Sequence, residues 1–313
     1  MVSSGGQTTM FSYEREADMT KRILTLQDLG EAEAWLLMQQ ANGIPDPRSR
    51  SSFMAGRTAL MMFKDENLAD RLCATAAVRQ MGGEVVYVSK GRWLEDMHKF
   101  PIELSPIYDY YVDCAYIQGI SVEGTREKSK YIARIPTINI ASDEAAPAHA
   151  LADLACIVRF SGKLDGAKVA WMGAPNGTLY SLMEAAEWFP FEMRLALPNA
   201  ETLNKRALEH ARKNGAKITL AENVTEAVQG ADYLCVGCHD GVTEETRDAW
   251  RVDGRLLELA PQAYVLITSR IIADTLPVLP QILEGPRCLV LLQSENRLRV
   301  HKRMLHWVFN EDE

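Results

Sequence analysis

Short apolar runs of strand length alternate with helix-length segments along most of the chain, and that rhythm admits few folds. TALMMF (58–63) is followed by RLCATAAVRQM, a helix-forming stretch stopped by Gly82 and Gly83, and then by EVVYVS (84–89). Strand, helix and strand on short connections are the signature of a parallel sheet. VDCAYIQG (112–119) and IPTINIAS (135–142) supply two more strands, separated by a charged helical segment, VEGTREKSKYIA. From Glu144 to Phe160 the spacing predicts a long helix with an apolar face. AKVAWMG (167–173) restarts the alternation, which continues through SLMEAAEWF, MRLALP, ETLNKRALEHARKNG, KITLAE, VTEAVQG, DYLCVGC and AYVLITS. ENRLRVHKRMLHWVF closes the chain as an amphipathic helix.

A chain of 313 residues exceeds one typical core and suits two of about 150 residues each. The expected fold class is α/β with two domains, each a mostly parallel sheet flanked by helices. The expected division is a flexible arm over 1–21, a first domain over 22–160, a second, doubly wound domain over 161–292, and a terminal helix over 293–313 that packs back on the first domain.

Charge excludes one class of partner. With 34 basic and 42 acidic residues the net charge is -8, and no basic run offsets it; sequence-independent nucleic-acid binding needs clustered cations to neutralise phosphates. No apolar stretch approaches the ~20 residues needed to cross a bilayer, and the polar N-terminus is not a signal peptide. Six scattered cysteines form no disulfide framework. These features predict a cytoplasmic protein with reduced thiols and no membrane partner.

Isolated motifs say little. Cys235-Val-Gly-Cys238-His239 matches a haem-attachment pattern but completes an apolar strand, and a zinc site would need two further ligands. Gly173-Ala-Pro-Asn-Gly177 lies where dinucleotide proteins place glycines, without their spacing. Of the histidines, His210 and His301 read as surface residues and His306 as packed; none has metal-ligand spacing. No cofactor and no metal are expected.

Longer strings carry more. ILTLQDLGEAEAWLLMQQA, the block from Thr58 to Gly91 with its Arg79-Gln80-Met81-Gly82-Gly83 ending, IPTINIASDEAAPAHALADLACI, SGKLDGAKVAWMGAPNGTLYSLMEAA and SENRLRV together resemble the aspartate/ornithine carbamoyltransferase family across roughly residues 22–309. The resemblance implies an amino-acid-metabolism transferase acting on small molecules, one of them amino-acid-like, with the site between two domains. It also implies a homotrimer whose neighbouring subunit completes that site through the segment 89–100.

The family's substrate motifs are largely replaced. Its phosphate loop, Ser-Thr-Arg-Thr-Arg at a helix N-terminus, corresponds to Asn67, Leu68, Ala69, Asp70 and Arg71, so one arginine remains and a carboxylate is added. Its next arginine falls on Gln118, and its His-Pro-Thr-Gln motif becomes Ala146-Pro147-Ala148-His149. The second-domain motifs fall near Thr268 and Arg270, near Cys238 and His239, and beside Asn176. On this basis Arg71, His149 and His239 are the candidate catalytic residues, and Asn67, Lys90, Gln118, Asn176, Cys238, Thr268 and Arg270 the candidate substrate-binding residues. Each charge-assisted bond to phosphate contributes about 1.5–3 kcal/mol, so these losses should remove most affinity for carbamoyl phosphate. The leading expectation is a divergent transferase moving a carbamoyl or related one-carbon group to an amine. The alternatives are another reaction on the same scaffold, with histidine acid–base chemistry on a neutral or cationic amide or guanidine, and a non-catalytic small-molecule-binding homologue.

Overall fold

The computed structural model describes residues 20–64, 67–88, 110–123, 126, 135–268 and 278–309. All but the last two residues of the expected arm, the segment 89–100 and most of the charged stretch after Ser121 lie outside these residues.

Two five-stranded sheets form, one in each half. The first holds β1 (Arg22–Ile23), β2 (Thr58–Phe63), β3 (Glu84–Val88), β4 (Cys114–Gln118) and β5 (Thr137–Ala141) in the order β1-β5-β4-β2-β3. The second holds β6 (Lys168–Met172), β7 (Glu192–Ala196), β8 (Lys217–Leu220), β9 (Tyr233–Val236) and β10 (Tyr264–Ile267) in the order β10-β9-β6-β7-β8. Every pairing is parallel. Parallel strands are covered on both faces and so read as unbroken apolar runs; β2 and β4 are buried almost end to end.

The helices are α1 (Gly30–Asn42), α2 (Leu68–Gln80), α3 (Pro147–Ser161), α4 (Gly177–Ala185), α5 (Lys205–Lys213), α6 (Val224–Val228), α7 (Gly254–Glu258), α8 (Pro280–Leu283) and α9 (Val290–Phe309). α3 starts at Pro147 rather than near Glu144, because Ser142 closes a turn: its N–H donates to the Ala145 carbonyl at 2.7 Å and its Oγ accepts from the Ala145 N–H at 3.1 Å. Pro147 suits the first helical position, and Gly162 ends the helix at φ 78°. α4 starts earlier than SLMEAAEWF suggests, because the Asn176 side chain accepts from the N–H groups of Thr178 and Leu179.

α9 packs on α1, α2, α3 and β10, so the end of the chain binds both halves. His301, expected at the surface, is buried at 1% exposure. With helices against it on several sides, α9 has no wholly solvated face at this level.

In each sheet the chain reverses direction of travel once, between β2 and β4 and between β6 and β9. Ligands of open α/β sheets bind beyond the carboxyl ends of the strands at such reversals. Asn67 and Gln118 lie at the first and Asn176, Cys238 and His239 at the second. The two places are joined where α3 and α4 begin: the Ala146 N–H donates to the Gly177 carbonyl and to Ser181 Oγ, both at 3.0 Å.

Candidate active site

The first turn of α2 is built around a buried carboxylate. Asn67 caps the helix, its Oδ1 accepting from the Asp70 N–H at 3.3 Å while its Nδ2 donates to Asp70 Oδ2 at 2.7 Å. The other oxygen, Asp70 Oδ1, lies 2.9 Å from His149 Nε2, in the first turn of α3. Asp70 is 3% exposed and His149 8%. Burial raises the Asp70 carboxyl pKa, but the adjacent His149, its hydrogen bond, Arg297 and His301 together outweigh that and hold it below the usual carboxylate range. Asp70 is therefore ionised at neutral pH. A helix N-terminus attracts anions through its free N–H groups and dipole; at α2 that attraction is already used by the chain's own carboxylate.

Arg71, one residue on, turns elsewhere: its guanidinium sits over the Tyr87 ring, 5.1 Å from the centroid. Gln118 is buried at the end of β4, where its carbonyl accepts from the Lys64 N–H at 3.0 Å. Beneath the Asp70–His149 pair lie further buried polar groups from α3, α9 and β4. His301 is pushed down to about 3 by burial, helped by His149 and Arg297, and its ring lies 5.6 Å from that of Tyr116.

At the second reversal the backbone is tightly fitted. Gly173 has φ 136°, and a Cβ there would meet the Cys238 carbonyl oxygen at 2.6 Å; the Ala174 N–H donates to that same oxygen at 2.7 Å. Only glycine fits this position. The Cys238 thiol is raised by partial burial and by Asp240, so it is no activated nucleophile. His239 stands edge-on to Trp250, ring centroids 5.7 Å apart, with Nε2 buried and unpartnered among the described residues. Burial pushes it down to about 4, so it is neutral. The Asn176 side chain is occupied as a helix cap, and Thr268 Oγ1 donates to the Val236 carbonyl at 3.0 Å. Lys90 and Arg270 lie outside the described residues.

The structure thus joins Asn67 and His149 through Asp70, places Gln118 on the neighbouring strand end, and gathers Asn176, Cys238 and His239 at the other sheet. Asp70 was absent from the candidate set, although its position among the phosphate-loop residues marked it. The described residues include no cluster of three or more His, Cys, Asp or Glu able to hold a metal.

Comparison with known proteins fits this arrangement. Residues 21–159 match the carbamoyl-P binding domain of the aspartate/ornithine carbamoyltransferases, and residues 165–308 match their Asp/Orn binding domain. The chain belongs to the aspartate/ornithine carbamoyltransferase family. It is 28% identical over 305 residues to the ornithine carbamoyltransferase of Oleidesulfovibrio alaskensis, covering 93% of this chain and 99% of that one. It is also 28% identical over 305 residues to the enzyme of that name from Bacillus subtilis, covering 94% and 95% respectively. The crystal structure of ornithine carbamoyltransferase from Thermus thermophilus superposes with a TM-score of 0.80 at 25% identity, over 93% of this chain and 99% of that one. No helix among the described residues is long and apolar enough to cross a membrane.

Proposed function

We propose that the protein is a transferase that moves a carbamoyl or related one-carbon group from a small donor to the amine of an amino-acid-like acceptor. The donor lies against the α2 and α3 N-termini, the acceptor against Asn176, Cys238 and His239, and the cytoplasm is the expected setting. The observation that carries this reading is the Ala146–Gly177 contact, which brings the crevices of two family-type domains to one junction.

The chemistry asks mainly for positioning and for polarisation of one carbonyl. Gln118 and the helix N–H groups can donate to the carbonyl oxygen as it gains charge, while Arg71 sets the potential nearby. Asp70 narrows the donor. A phosphate dianion would meet an ionised carboxylate at the helix end, and repulsion there disfavours carbamoyl phosphate relative to a donor with a neutral or singly charged leaving group.

The test compares two carbamoyl donors, carbamoyl phosphate and p-nitrophenyl carbamate, each with a mixture of amino acids and with ureido products read by mass spectrometry. Protein-dependent ureido product is expected, formed faster from the neutral carbamate at equal concentration. No protein-dependent product from either donor overturns the reading; faster reaction with carbamoyl phosphate overturns its donor preference. A homotrimer completed by the segment 89–100 belongs to the same reading, and sedimentation equilibrium tests it.

A further inference from the structure

The Asp70–His149 hydrogen bond determines what the rest of the imidazole can do. Nε2 lies 2.9 Å from Asp70 Oδ1, an acceptor; in the form of the imidazole that can act as a base there is one N–H, this bond uses it, and Nδ1 carries the lone pair. Among the described residues Nδ1 has no hydrogen-bond partner and is not one of the polar atoms sealed in the interior, and a tenth of the side chain is exposed. The carboxylate behind it is fixed, since Asn67 Nδ2 holds Oδ2 at 2.7 Å and the helix backbone holds Asn67. Around the pair stand Arg297 and His301 on α9 and Asp153 on α3.

We propose that His149 Nδ1 is the general base of the transfer, that Asp70 is the positioning residue that fixes its tautomer and ring, and that Asn67 anchors Asp70. This rests on the transferase reading above. Its chemical reason is the donor. When an amine adds to a carbonyl, the first adduct carries an ammonium and an oxyanion. With a poor leaving group that adduct expels the amine again unless the ammonium loses a proton. A site that has given up its dianion cradle therefore needs a base. The amine lone pair forms the C–N bond as the carbonyl pair moves to oxygen, and an N–H proton passes to His149 Nδ1. The oxygen pair then returns, the bond to the leaving group breaks with its electron pair, and the imidazolium proton goes to the departing group. The sum is amine plus carbamoyl donor giving ureido product plus protonated leaving group.

The experiment uses the full chain, the amino-acid mixture and phenyl carbamate, whose phenoxide is a poorer leaving group than p-nitrophenoxide, with p-nitrophenyl carbamate beside it as the control for transfer itself. His149→Ala is expected to lower kcat by about 10²–10⁴-fold with KM within about threefold, and added imidazole to restore part of the rate. Asp70→Asn is expected to lower kcat while imidazole gives no rescue, because the histidine is still present. In the proton spectrum, a downfield imidazole N–H resonance is expected for the unmodified chain and absent from both variants. Asn67→Ala serves if Asp70→Asn does not fold, with a smaller fall in kcat and a shifted resonance. An active unmodified chain matched by a folded His149→Ala variant overturns the dyad and leaves the transferase reading standing. Lowered kcat without imidazole rescue and without the downfield resonance marks His149 as structural and overturns it too. An unmodified chain that makes no ureido product overturns both.

Discussion

Gln293 Nε2 donates to Asp153 Oδ1 at 2.7 Å, and the same side chain pairs with both backbone polar groups of Ile267. One residue of α9 thus ties α3 to the last strand of the second sheet, all in buried surroundings. Gln293→Ala would strand an N–H, a carbonyl and a carboxyl. Each unsatisfied buried group costs about 1–3 kcal/mol, so a loss of roughly 3 kcal/mol or more is expected in urea denaturation. Asp153→Asn should cost under about 1 kcal/mol, because burial pushes the Asp153 carboxyl up toward its neutral form and asparagine keeps the acceptor. A greater loss for Asp153→Asn than for Gln293→Ala would mean that an ionised carboxylate is required.

A half-buried carboxyl, Glu184, and a buried imidazole, His301, give stability opposite pH slopes. Burial pushes Glu184 up from 4.5 to about 7, against the pull of its hydrogen bond from the Leu26 N–H. The folded chain then holds a proton that the unfolded chain releases, so this contribution is full below pH 4.5 and is lost as pH rises through 7. His301 goes the other way: pushed down from 6.5 to about 3, it contributes fully above 6.5 and loses stability as pH falls toward 3. The slope is at most about 1.4 kcal/mol per pH unit for each group. Glu184→Gln should gain stability at pH ~8 relative to pH ~5, and His301→Gln should flatten the decline below pH ~6. Thermal denaturation across that range checks both, and an unchanged acid slope in His301→Gln would remove His301 as its source.

Arg299 and Lys302 clamp the loop after α1. Arg299 Nε donates to the Ile44 carbonyl at 3.0 Å and Nη1 to Asn296 Oδ1 at 2.9 Å. Lys302 Nζ donates to the carbonyls of Pro47 at 2.8 Å and Ser49 at 2.6 Å. Arg299 is 1% exposed, and charge-assisted bonds contribute about 1.5–3 kcal/mol each. Arg299→Ala should therefore lose about 3 kcal/mol or more and expose residues 44–50 to limited proteolysis, with Lys302→Ala showing the same cleavage more weakly. Protection of that loop in both variants would show that it is held by something else.

The parallel architecture was legible because the central strands are buried apolar runs: β2 occupies Thr58–Phe63, the span its residues define, while the edge strands β3 and β8 are largely exposed. The starts of α3 and α4 were less so, since Ser142 and Asn176 set them through side-chain bonds that apolar spacing does not record. At the site, the replacements at Asn67, Asp70 and His149 could be read one at a time. Their connection could not, because 79 residues separate Asp70 from His149 and the packing of both α2 and α3 on α9 brings the two together. The inward turn of His301 was hidden for a related reason. A polar residue on an amphipathic helix looks solvated until the elements covering it are known.

Gly177 and Gly254 each open a helix, α4 and α7, and they separate two effects of the same substitution. Alanine in a helix is favoured over glycine by about 1 kcal/mol. At Gly254 an added Cβ meets nothing within 4 Å, so Gly254→Ala should gain up to about 1 kcal/mol. At Gly177 the Cβ would run into the Ser142 carbonyl oxygen and come within 2.9 Å of the Ala145 carbonyl oxygen. These are backbone atoms and cannot swing aside. Overpacking typically costs about 1–3 kcal/mol and here outweighs the helical gain, so Gly177→Ala should be destabilised by about 1–2 kcal/mol. The same clash pushes apart the starts of α3 and α4, on which His149 and the Asn176 cap depend. Ureido formation should therefore fall further than stability does, with the loss in kcat. Denaturation midpoints and initial rates of both variants check this, and a Gly177→Ala chain as stable and active as Gly254→Ala would show that the junction yields.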